Sequence, residues 1–93
     1  MITLEWRSDL DALVFLAPGG SRCFVHRLAF RTLLGKTPVQ DDCLRFFREN
    51  SWSFLAAAEA HRETLPMKGR LSFHLTSRHI KQQISSGTGS QLA

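Results

Sequence analysis

The stretch from Thr37 to Pro66 reads TPVQDDCLRFFRENSWSFLAAAEAHRETLP, and its periodicity decides the fold class. Thr37 is placed to cap a helix, Pro38 suits a first helical turn, and Gln40 completes a capping box. Asp41 and Asp42 then meet the positive end of the helix dipole. The pattern predicts one long helix running to about Leu65, where Pro66 ends it. At about 100° per residue, Val39, Cys43, Phe46, Phe47, Phe54, Ala57, Ala58 and Leu65 share one broad arc, with Leu44 and Leu55 at its edge. Asp41, Arg45, Arg48, Glu49, Glu59 and Glu63 occupy the opposite, solvated arc. A stripe this wide packs on a sheet. Three residues break the pattern: Asn50 and His61 lie inside the apolar arc, and Trp52 stands on the polar one.

The flanking segments supply the strands. Pro18-Gly19-Gly20 separates two apolar runs, Leu13–Ala17 and Arg22–His26, which reads as a β-hairpin. Ile2-Thr3-Leu4-Glu5-Trp6 alternates and adds a candidate strand. Leu28–Leu34 is a short helix stopped by Gly35. Beyond Pro66, Arg70–Thr76 alternates: Leu71, Phe73 and Leu75 on one face, Arg70, Ser72, His74 and Thr76 on the other. Ser77–Ile84 forms a short closing helix capped by Thr76 or Ser77. The fold class is therefore α+β: a small antiparallel sheet of three to four strands with one long amphipathic helix across one face. Residues 1–84 make a single domain, and 85–93 a flexible tail. Phe46, Phe47 and Phe54 should meet Val14, Val25, Leu71, Phe73 or Leu75.

Composition agrees with a folded chain of limited means. Ninety-three residues, 43% of them hydrophobic, support one core and leave no room for a separate cofactor domain. The net charge of +4 is unevenly placed. All eight acids lie at or before Glu63, balanced there by basic residues, so the excess belongs to Lys68, Arg70, Arg78 and Lys81. Two cysteines, Cys23 and Cys43, do not make a disulfide framework, and no apolar run is long enough to span a bilayer. The N-terminus lacks the basic start and long apolar segment of a secretory signal. The expectation is a cytoplasmic protein with reduced thiols and no membrane contact.

Several strings carry a resemblance. Leu13-Val14-Phe15, then Cys23-Phe24-Val25-His26 and Leu28, are similar to the paired strands of the DUF1488 family of small bacterial proteins. Phe47-Arg48-Glu49-Asn50-Ser51-Trp52-Ser53-Phe54, with Ala58-Glu59, resembles its helix, and Leu75-Thr76 with Ile80 its closing strand and turn. The likeness spans roughly Ile2 to Ile80. It implies a fold and a bacterial setting; it implies no activity.

The chemistry-bearing residues do not assemble into a catalytic or cofactor motif. Cys23, His26, Cys43, His61, His74 and His79 are potential metal ligands, yet only Cys23-x-x-His26 has short spacing. On a strand that odd separation sends the two side chains to opposite faces. No Gly-x-Ser-x-Gly elbow is present, and Gly19-Gly20 lacks the Lys-Ser/Thr of a phosphate loop. Glu59 and Glu63 share a helix face, but it is the solvated one. The reading is a non-enzymatic chain with no metal and no cofactor. Two surfaces remain. Trp52, with Arg48 and Ala56 nearby, is a candidate anchor for a protein interface, a homodimer first; the competing reading is a local stack on Arg48. Lys68, Arg70, His74, Arg78 and Lys81 form a candidate nucleic-acid surface, weakened because Phe73 points to the opposite face.

Overall fold

Strand alternation sets the architecture. The computed structural model describes residues 3–17, 19–66 and 72–85, with 86–92 as backbone alone. Strands β1 (Leu4–Arg7), β2 (Ala12–Leu16) and β3 (Arg22–His26) form an antiparallel meander, and β4 (Ser72–His74) joins β3 to complete the order β1-β2-β3-β4. Leu4, Trp6, Leu13, Phe15, Cys23, Val25 and Phe73 all turn to the helices, as a period of two requires. The β1–β2 turn places Asp11 at φ 51, a left-handed conformation that Asp tolerates. At the β2–β3 turn Gly19 and Gly20 take φ 90 and 87, which only glycine adopts without strain, and Ala17 N–H donates to the Ser21 carbonyl at 2.8 Å. The hairpin expected around these glycines is present; Pro18 and Leu71 lie outside the described residues.

The sheet is mixed, not antiparallel throughout. Arg22, Cys23 and Phe24 pair with Ser72, Phe73 and His74 in parallel register. The reason lies in the connection. After β3 the chain runs through α1 (Arg27–Leu34), α2 (Gln40–Glu49) and α3 (Ser51–Glu63) before returning, and a helical crossover delivers its strand parallel to the first. Short alternation marks a strand but not its direction.

The single long helix is also corrected: α2 and α3 are separate, broken at Asn50 (φ −126, ψ 27). Asn50 Nδ2 donates to the Phe46 carbonyl at 3.0 Å, ending α2, while the Asn50 carbonyl accepts from Ser53 and Phe54 N–H to start α3. The helix also begins later than the capping signal suggests. Pro38 is buried and its carbonyl accepts from Arg27 Nη1 at 3.0 Å, so it does not open the helix. Val39 is the N-cap, and Asp42 at the third helical position accepts the Val39 N–H at 3.1 Å. Valine has no side-chain acceptor, so the reciprocal half of a capping box is replaced by the Val39 carbonyl, which receives Asp42 and Cys43 N–H. The α1 stop is as expected: Gly35 at φ 74 donates to the Arg31 carbonyl.

The bend lets the aromatic stripe converge. Phe54 sits among Phe15, Phe30, Phe46 and Phe47, with ring centroids 4.9–6.1 Å away. Val25, Phe73 and Leu75 join this core, as expected, but Val14 does not; its neighbours Leu13 and Phe15 do. The last helix, α4 (Ser77–Leu92), packs on α3 and α1 through Ile80 and Ile84. It continues past Ile84 to Leu92.

Candidate functional site

With the helices on one face, the other face of the sheet carries no helix among the described residues, and its side chains follow from the register. Three rows cross it. Glu5, Val14, Phe24 and His74 lie side by side in the middle; Arg7, Ala12 and His26 lie on one flank, and Leu16, Arg22 and Ser72 on the other. A solvated sheet face is normally polar. This one has an apolar centre: Ala12 and Val14 are hidden by their neighbours, Phe24 is half-buried, and Leu16 is 40% exposed. A shallow depression of about 200 Å³ runs over it, lined by Thr3, Glu5, Arg7, Val14, Leu16 and Arg22 among others.

The β3–β4 side is aromatic. His26 Nε2 and His74 Nδ1 lie 2.8 Å apart and share a hydrogen bond. Their planes differ by only 8° with centroids 4.8 Å apart, so the rings meet edge to edge in one plane. Phe24 stacks beside His74 at 5.2 Å. Arg7 is paired with Asp9 at 2.8 Å, whereas Arg22 has no acidic partner among the described residues.

A second histidine pair lies on the helical side. His61 and His79 approach to 4.7 Å, and His61 meets the edge of Phe73 at 5.2 Å. His79 Nδ1 accepts the Thr76 N–H at 3.1 Å and caps α4, so this ring works as a neutral acceptor. Its pKa is held below the ordinary value by desolvation first, then by His61 and Arg78. Among the described residues, no group of three or more His, Cys, Asp or Glu is placed to hold a metal ion. Cys23 and His26 do point to opposite faces, as the odd spacing requires. Burial pushes the Cys23 thiol up to about 12 and the Cys43 thiol up to about 11, leaving both protonated and unreactive at neutral pH.

The candidate residues separate. Trp52 is 52% exposed on α3, pointing away from buried Phe54. Arg48 is exposed and Ala56 half-buried, but the break at Asn50 spoils the one-turn spacing, and no Arg48–Trp52 ring contact forms among the described residues. The basic set is also divided. His74 joins the open sheet face, Arg78 and Lys81 line a shallow groove on α4 with Gln82 and Ser85, and Lys68 and Arg70 lie outside the described residues. Sequence reasoning passed over Glu5, Arg22, Phe24 and His26 as a surface. The signal was there: Arg22, Phe24 and His26 alternate with Cys23 and Val25. No family model matches the chain, and no curated protein or solved structure matches it. No helix among the described residues is long and apolar enough to cross a membrane.

Proposed function

We propose that this chain is a small non-enzymatic protein-interaction module that associates with itself. The observation that carries the reading is apolar surface its own fold leaves uncovered: Trp52 on the helical side, Leu16 and Phe24 on the open sheet. Tryptophan and phenylalanine in such positions are typical anchors at interfaces. The cysteines are buried and the histidines meet each other or a helix start, so among the described residues no nucleophile is set beside a base. Sedimentation equilibrium at high micromolar concentration tests the proposal. A concentration-dependent dimer is expected, and a strictly monomeric protein defeats it.

A second reading is favoured by one observation: Phe24, His26, His74 and Arg22, which has no ion pair among the described residues, share the outward sheet face, an aromatic–basic mixture suited to single-stranded nucleic acid. Glu5 in the middle row opposes it. This reading requires binding to generic DNA or RNA that falls steeply with salt. No binding at low salt eliminates it.

A further inference from the structure

Resting on that reading of self-association, we infer that the second copy docks face to face on the open side of the sheet, with Glu5 of each chain against His74 of the other. The argument begins with the order of the middle row, Glu5–Val14–Phe24–His74, from one edge of the sheet to the other. Its centre is apolar; its two ends are a carboxylate and an imidazole. A twofold axis lying in the interface and parallel to the strands reverses this row on the second copy. Glu5 then lies over the other chain's His74, and Val14 over its Phe24. The same operation sets Leu16 over the stem of Arg22, and Ala12 over His26.

An isologous contact demands this kind of self-complementarity, in which each residue pair occurs twice. The atoms are suitably free. His74 Nδ1 is taken by His26, so Nε2 is the atom left to reach a carboxylate. Glu5 is exposed and makes no ion pair among the described residues. Stacked sheets sit about 10 Å apart with their strands within about 30° of each other, which keeps the middle row aligned near the axis. Nucleic acid is a poorer occupant, since it would lay phosphates along a row that ends in a carboxylate.

The face is small. Four strands about 4.8 Å apart and roughly 17 Å long give roughly 300 Å², well under the roughly 800 Å² per partner of a standard stable interface. The dimer is therefore weak, and is to be sought at high micromolar concentration.

The test uses the Glu5–His74 pair. His74→Glu sets two carboxylates in opposition and Glu5→Lys removes the acceptor for His74 Nε2, and each should weaken dimerisation at least about tenfold in sedimentation equilibrium. Mixed together, the two variants should form a heterodimer, because one contact is then a lysine–carboxylate pair and the other the parent Glu5–His74 contact. Circular dichroism of each variant verifies that the fold is retained. Trp52→Glu should leave the dimer intact. A dimer that resists both charge variants but dissociates in Trp52→Glu overturns the inference while leaving self-association standing. A monomeric parent overturns both; if that monomer retains single-stranded oligonucleotide and loses it in Phe24→Ala, nucleic acid is the occupant instead.

Discussion

Arg27, the first residue of α1, reaches three separate parts of the chain. Its guanidinium pairs with Asp11 at 2.7 Å, donates to the Pro38 carbonyl at 3.0 Å and lies 5.5 Å from the Trp6 ring centroid. Its backbone N–H also donates to the Asp11 carbonyl. One side chain thus fixes the left-handed β1–β2 turn, the loop before α2 and the edge strand. The planar fork makes this possible, and an ammonium cannot supply three directions at once. The pair is partly solvated, so its Coulombic share is discounted. Arg27→Lys should still lower unfolding stability by about 1–2 kcal/mol in urea melts, mainly through the lost carbonyl and ring contacts. An unchanged midpoint would show that the three contacts are incidental. None of this was legible in the sequence, where Arg27 is one basic residue among several. Its partners are distant in the chain, and local periodicity carries no information about them.

At the scale of elements, the sequence showed where helices and strands lie more clearly than how they end. Asn50 was visible as a polar residue inside an apolar arc. The projection of a straight helix had no means of turning that misfit into a break, because the break depends on Asn50 Nδ2 taking the Phe46 carbonyl. At α4, Thr76 stands directly before the helix as expected, and His79 in the first turn accepts its backbone N–H. That cap has a pH signature. The His79 pKa is lowered on folding, so the folded state binds fewer protons than the unfolded one as the pH falls below the ordinary value of 6.5. Its contribution is complete above that pH and is lost as the pH drops through the lower, folded value. His79→Gln retains an acceptor at the same helical position without a titrating group. The variant should melt like the parent at pH 8 and lose less stability than the parent in mildly acidic solution. If thermal melts of the two proteins show the same pH slope, His79 is not the group responsible.

For the molecule as a whole, the two-layer arrangement followed from the amphipathic stripe and the alternating runs, and the core bears it out in Phe47, Phe54, Val25 and Phe73. The direction of β4 did not follow, since it is decided by the path of three helices between β3 and β4. The outward side of the sheet is half legible: the alternation over Arg70–Thr76 marks His74 as outward, whereas Arg22–His26 reads as one apolar run, which conceals its outward Arg22, Phe24 and His26. What binds the layers is the ring cluster around Phe54, which touches β2 through Phe15, α1 through Phe30 and α2 through Phe46 and Phe47. Among the described residues no other ring bridges as many elements. Phe54→Ala leaves a cavity at the one point shared by sheet and helices, and should cost roughly 3–5 kcal/mol. Domains of this size hold only about 5–15 kcal/mol in total, so the loss should lower the melting temperature by well over ten degrees. Phe46, half-buried at the margin of the same cluster, should cost distinctly less when replaced by Ala. Equal losses in the two variants would mean that Phe54 has no special place, and that the layers are joined by diffuse packing.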